Sequence, residues 1–254
     1  KIPKSRFLRA CRRLPFDATP VWLMRQAGRY MQAYRDLRAK NSMLELIKTT
    51  QRSAEVTLQP INAFDLDAAI IFADILPPLM GMGLNLEFVP EKGPVLDNAI
   101  DIPVDIAALR TPPAEEFLGS TIAAVRMVST ELEPRGIPLI GFAGAPFTLA
   151  SYAIEGGGSK DYAKTKALMY SYPDAWEELM EKLVTVQADY LMAQAKAGAA
   201  ALQVFDSWAG ILSEADYAEF ALPYATRLIA KVKKTGVPVI YFALNSAHLL
   251  DAIR

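Results

Sequence analysis

Short apolar runs alternating with long amphipathic stretches constrain this chain more than any other feature. Five runs read as strands, at residues 20–24, 68–72, 138–142, 201–205 and 237–242. Strand–helix alternation of this kind builds a parallel sheet covered by helices, an α/β architecture. Ser42-Met43-Leu44-Glu45 is a capping box, and the helix it opens is predicted to run to about Leu58, before Pro60. Residues 173–196 repeat Trp176, Leu179, Met180, Leu183 and Leu191 at helical spacing, with Gly198 as the stop. Ser213 opens another helix, which Pro223 should kink and Gly236 close. Residues 77–112 form a longer excursion with a predicted hairpin around residues 84–95.

Polar or conformationally special residues follow each of the first four strands. Arg25 and Arg29 come after the first and Asp74 after the second. Gly144-Ala145-Pro146, leading to Tyr152, comes after the third, and Asp206 and Ser207 after the fourth. Ligand sites of parallel α/β folds sit at the C-terminal ends of the strands. The expected fold is therefore a (β/α)₈ TIM barrel, with residues 1–254 as a single domain. Five strands fall short of eight, so the chain is expected to lack its C-terminal β/α units and not to close a barrel alone.

The formal net charge of −1 conceals an asymmetry. Residues 1–52 hold nine arginines and four lysines against Asp17, Asp36 and Glu45, a net of +10. The remainder carries a net of −11. Such an imbalance suggests a polyanionic partner. No nucleic-acid motif accompanies it, so a small molecule rich in carboxylates or phosphates fits better. Arg12, Arg13 and Arg35 are expected to be solvated surface charges. The basic stretch 1–13 lacks the apolar core of a signal peptide and reads as a solvated helix start, with the tail of a trimmed transit sequence as the alternative.

The individual residues each admit a structural reading beside the functional one. Arg25 and Arg29 are four apart and would share a face if a helix begins at Gly28; guanidinium forks suit carboxylates. Arg25 would otherwise pair with a buried carboxylate, and Arg38 either joins the pair or lies on a solvated helix face. Asp74 emerges from the apolar run Ile70-Ile71-Phe72-Ala73 and needs a partner or a helix to cap. Tyr152 reads equally as a core aromatic, Ser207 as a turn or capping residue, and Gly156-Gly157-Gly158 as a flexible turn without phosphate-loop spacing. His248 reads as packed or superficial. One histidine and one cysteine, Cys11, argue against zinc, Cys–His chemistry and disulfides, and no dinucleotide fingerprint follows a strand. No apolar run reaches 18 residues, so no membrane span is expected. What remains is cofactor-free chemistry on a polyanion, in a reducing compartment.

The stretch from Pro20 to Tyr30, PVWLMRQAGRY, resembles the N-terminal signature of the uroporphyrinogen decarboxylase family. Gly141-Phe142-Ala143-Gly144-Ala145-Pro146-Phe147-Thr148-Leu149, continuing through Tyr152 to Ser159, is similar to that family's other signature. Ile71-Phe72-Ala73-Asp74-Ile75-Leu76, Glu91-Lys92-Gly93-Pro94 and Phe205-Asp206-Ser207-Trp208-Ala209-Gly210 also match, in family order.

The resemblance implies a TIM barrel, typically a homodimer, that removes carbon dioxide from the four acetates of uroporphyrinogen III without metal or organic cofactor, giving coproporphyrinogen III for haem and chlorophyll synthesis. It implies Asp74 and Arg25 as catalytic residues. Substrate contacts would come from Arg25, Gln26, Ala27, Gly28, Arg29, Asp74, Tyr152 and Ser207, with Asp74 facing the four pyrrole N–H groups. Arg25 is a candidate proton donor; because arginine is a very weak acid, a carboxylate or water bound to it is the alternative. The implied setting is cytoplasmic, or a plastid stroma, with neither nucleic acid nor membrane as partner. The family's C-terminal Gly-His-Gly segment has no counterpart here, and His248 does not match it, so this chain alone is expected to be inactive. Two rivals are a zinc methyltransferase of the same superfamily, which needs a Cys/His ligand set, and a non-catalytic tetrapyrrole-binding protein.

Overall fold

The computed structural model describes residues 3–254; Lys1 and Ile2 of the basic N-terminal stretch lie outside the described residues. Among the described residues there are six strands: β1 (Ala69–Ile70), β2 (Leu86–Val89), β3 (Gly93–Leu96), β4 (Leu139–Gly144), β5 (Ala201–Asp206) and β6 (Val239–Ala243). The N-terminal helices are α1 (Arg6–Cys11), α2 (Gln32–Lys40), α3 (Met43–Lys48) and α4 (Thr50–Ala63). The excursion carries α5 (Pro77–Met82), α6 (Pro103–Ala108) and α7 (Ala114–Leu132). Then come α8 (Pro146–Glu155), α9 (Ala163–Ser171), α10 (Pro173–Lys196), α11 (Glu214–Asp216), α12 (Leu222–Lys233) and α13 (Leu250–Ile253).

β1, β4, β5 and β6 form one parallel sheet in that order, and β2 and β3 form an antiparallel hairpin where the sequence predicts one. Among the described residues the sheet is an open four-stranded arc with β1 and β6 at its edges. Every residue of β4 and β5 is buried, whereas every residue of β6 is half-buried. The alternation of side chains divides the sheet's faces. Gly141 faces α10, where a Cβ would lie 2.5 Å from Gln194 Oε1. Phe142, Phe205 and Phe242 line the opposite face, edge to face at 5.3 and 5.7 Å.

Local chemistry explains where elements stop. β1 is too short to pair with Phe142, so the Gln194 amide of α10 satisfies both backbone groups there, at 2.9 and 2.8 Å. Phe72 leaves the sheet because α4 takes its backbone: its N–H donates to Thr57 Oγ1 (2.9 Å) and its carbonyl accepts from Ser53 Oγ (2.7 Å). Two residues later the chain reaches Asp74.

Four expectations about strand and helix placement need correction. Residues 20–24 form no strand: Val21 exchanges hydrogen bonds only with Asp67, through the Asp67 side chain (2.7 Å) and backbone (2.8 Å), and Val21, Leu23 and Met24 are exposed. The capping box is present, but its helix ends at Lys48. Adjacent β-branched Thr49 and Thr50 favour a break, and Thr50 ties the next helix to α7 by donating to the Ser120 carbonyl at 3.1 Å. Pro60 lies inside α4, in its last turn, where its missing N–H removes a single helical bond. No helix starts at Gly28; residues 25–31 are turns and bends, and α2 begins at Gln32.

The other helices follow the sequence reading. α10 spans Pro173–Lys196, with Gly198 at φ +115° just beyond it. Ser213 caps α11, a π-helical turn at Tyr217–Ala221 carries the expected irregularity, and Pro223 enters the first turn of α12. The triple glycine is not a free turn. Gly156 ends α8 in the left-handed region at φ +76°, its carbonyl accepts from Leu96 N–H (2.9 Å), and Gly157 bridges Val95.

Candidate active site

The residues expected to act on a ligand gather unevenly at the C-terminal ends of β1, β4 and β5. Asp74 follows β1 and precedes α5, and its Oδ1 accepts from Leu76 N–H at 2.9 Å. Protein surrounds the carboxyl on almost every side while part of the residue stays accessible. Burial pushes its pKa above the usual carboxylate range, opposed by the Leu76 and Ile75 N–H groups and by the Arg25 charge. The expected local capping role and a ligand-facing role therefore coexist in one side chain.

Arg25 is exposed, and its charge favours the ionised form of both Asp74 and Tyr152. Its position depends on its neighbour. Gln26 is 1% exposed, and with its amide oriented to satisfy both ends it donates to the Leu23 carbonyl and accepts from Ile70 N–H, each at 3.2 Å. Gln26 thus fastens the arginine turn to β1, and the Tyr30 hydroxyl donates to the Gln26 carbonyl. Ala27 packs against the small cluster of Tyr34, Leu46 and Val56, and Gly28 closes a turn by accepting from Met31 N–H at 3.0 Å. Arg29 is exposed, and its carbonyl accepts from Arg35 at 2.7 Å. Arg12, Arg13 and Arg35 are exposed as expected, and Arg38 donates to the Asn41 carbonyl at the end of its own helix.

Tyr152 projects from α8, and burial pushes its hydroxyl pKa up to about 12, with the Asp74 charge adding to the effect. Its ring stacks on Trp208 at 3.8 Å between centroids, and Tyr162 meets the same indole edge-on at 5.0 Å. Ser207 is half-buried between Asp206 and Trp208 in the turn after β5. His248 is superficial, and its Nε2 contacts the Leu212 carbonyl at 2.8 Å.

Sequence reasoning passed over the supports. Ser53 and Thr57 end β1, and their signal was a pair of small hydroxyl residues one turn apart on a buried helix face. Thr148 and Tyr241 hold Asp206, and nothing in the sequence marks Tyr241. Among the described residues no three His, Cys, Asp or Glu side chains cluster as metal ligands would, and no helix is long and apolar enough to cross a membrane.

The profile of the uroporphyrinogen decarboxylase (URO-D) family matches residues 2–254. The chain belongs to this family. It is 55% identical to the uroporphyrinogen decarboxylase of Roseiflexus sp. (strain RS-1), over 98% of the chain and 73% of that protein. The Chloroflexus aurantiacus (strain J-10-fl) enzyme of the same name is 53% identical over 99% of the chain and 71% of its own length. That of Carboxydothermus hydrogenoformans is 50% identical over 97% and 70%. A methyltransferase from Methanosarcina mazei superposes with a TM-score of 0.81 over 97% of this chain and 71% of its own, at 17% identity, which establishes shared fold alone. The family and this neighbour place the open parallel arc within the barrel class foreseen from the sequence.

Proposed function

We propose that Asp74 and Arg25 form the decarboxylation centre of this carboxy-lyase, which converts uroporphyrinogen III to coproporphyrinogen III in porphyrin biosynthesis. The observation that carries this reading is a carboxyl held deep at the end of β1, against its own solvation, with one arginine at its opening. A buried carboxylate without a bound cation is costly, and a macrocycle that turns cationic during reaction supplies one.

The chemistry follows from these residue types. Protonation of the pyrrole carbon bearing an acetate makes the ring cationic, and that ring accepts the electron pair of the breaking C–C bond. Carbon dioxide leaves, a second proton converts the exocyclic methylene to methyl, and the first proton departs from the ring carbon. Each cycle thus consumes one proton and releases one carbon dioxide. Asp74 faces the pyrrole N–H groups and stabilises the transient cation electrostatically. Arg25 binds a substrate carboxylate and holds it, or a water, as the proton source. Tyr152 and Ser207 contact the macrocycle, the turn Gln26-Ala27-Gly28 shapes the rim, and Arg29 receives an outlying carboxylate. This assignment draws on no cofactor. A homodimer in the cytoplasm completes the reading.

Anaerobic turnover of uroporphyrinogen III, with products oxidised and separated by carboxylate number, tests it. The expected result is stepwise loss of four carboxylates by a protein that carries this chain at the full length of its relatives, of which the chain itself spans 73%, and none by the Asp74→Ala variant of that protein. Tight macrocycle binding without any loss of carboxylate would replace the enzyme reading with a binding protein.

A further inference from the structure

β5 ends on a carboxyl group that the chemistry above leaves unused. Asp206 is 0% exposed and, among the described residues, forms no ion pair; it accepts from Thr148 Oγ1 (2.7 Å) and from the Tyr241 hydroxyl, which itself lies 3.0 Å from the Tyr217 hydroxyl. Such a group is retained only where hydrogen bonds offset its desolvation. The Thr148 hydroxyl has one proton, and giving it to Asp206 leaves its lone pairs free. One of them accepts the backbone N–H of Trp208 at 3.1 Å.

Thr148 and Tyr152 lie one turn apart on the same face of α8. Thr148 grips the Trp208 backbone while Tyr152 stacks on the Trp208 indole at 3.8 Å. The turn after β5 is thereby locked to α8 at two points, with Ser207 between Asp206 and the stacked indole. We propose that Asp206 is a positioning residue that fixes the Trp208–Tyr152 wall and Ser207 of the substrate site through the Thr148 hydroxyl. An ionised Asp206 is an acceptor only and points both hydroxyl donors inward; a neutral one must reverse one of the two bonds. This inference rests on the macrocycle-binding reading of that wall.

The test compares Thr148→Val, which keeps the shape and removes both bonds, with Thr148→Ser, which keeps the hydroxyl. Tyr241→Phe removes the second donor to Asp206 at a distance from the wall. The readouts are KM and kcat for uroporphyrinogen III and the near-ultraviolet circular dichroism of the Tyr152–Trp208 stack, with Tyr152→Leu as the spectral reference. Thr148→Val is expected to raise KM about tenfold with kcat within about threefold, the signature of lost uniform binding. It should also lose the stacking signal, and Thr148→Ser should restore both. Wild-type KM and spectrum in Thr148→Val would overturn the proposal, as would equal impairment of the valine and serine variants. If Thr148→Val does not fold, unchanged KM and spectrum in Tyr241→Phe would overturn it. Absence of turnover in the wild type would instead sink the decarboxylase reading, and the circular dichroism series would still decide the role of Asp206.

Discussion

β4–β5 and the arginine block from Pro20 to Tyr30 are both apolar in sequence, yet they fold in opposite ways. β4 and β5 each have parallel neighbours on two sides and are buried throughout. The arginine block has only Asp67 as an extended partner, and it exposes Val21, Leu23, Met24 and Tyr30. Apolar composition proposes a strand, but ladder partners make one. The contrast also separates two tasks: the paired strands hold Asp206 and, through α8, Tyr152, while the irregular block presents Arg25 to ligand and relies on Gln26 for its position.

Three substitutions and one exchange measurement probe that division, in descending order of effect. Leu202→Ala in β5 removes a fully buried side chain and should cost about 2–5 kcal/mol in urea unfolding. A loss below about 1 kcal/mol would show that the sheet centre relaxes as freely as the block. Gln26→Ala leaves Ile70 N–H and the Leu23 carbonyl without their amide partner, a cost of about 1–3 kcal/mol, much of it local. It should raise KM by about tenfold because Arg25 loses its anchor; an unchanged KM would mean that the block is held elsewhere. Hydrogen exchange should find β5 amides slower than those of half-buried β6, although the two strands pair along their whole register. Equal protection would dissolve the distinction between sheet centre and edge. Leu23→Ala, in the exposed part of the block, should change stability by less than about 0.5 kcal/mol.

Where neighbours in sequence decide the structure, the sequence was readable. The capping box at Ser42 and Glu45, the span of α10, and the hairpin β2–β3 all rest on contacts within a few residues or on unbroken periodicity. Adjacent Thr49 and Thr50 only favour a break; the tie of Thr50 to the Ser120 carbonyl, distant in sequence, was hidden, as was the loss of the strand at residues 20–24, which depends on which neighbours the sheet supplies. For the site, the rule that ligands sit at the C-terminal ends of strands brought Asp74, Tyr152 and Ser207 forward; Asp74 and Ser207 follow β1 and β5 closely, and Tyr152 reaches the end of β5 from within α8 by stacking on Trp208. The same rule brought Arg25 and Arg29 forward after a strand at residues 20–24 that does not form, and their shared face needed a helix at Gly28 that does not form either. Asp206 was visible at the end of β5, but its role depends on its facing α8, a matter of sheet face that alternation alone does not settle.

The central claim is that Asp74 is kept in place for chemistry and against stability. Burial raises its folded pKa, so the folded carboxyl holds its proton over a range where the unfolded one has lost it. Its contribution to stability therefore falls as pH rises from about 4, the unfolded value, through the raised folded value, and stays low above it. Asp74→Asn removes that penalty while its side-chain oxygen can still accept from Leu76. The most direct measurement is thermal unfolding of wild type and Asp74→Asn at pH 7 and below pH 4, beside anaerobic turnover of uroporphyrinogen III. The expected variant is more stable at pH 7 by about 1 kcal/mol, a few degrees in Tm, with the advantage gone in acid and turnover reduced by about 10³-fold. A variant that keeps its turnover, or that is less stable at pH 7, would contradict the central claim.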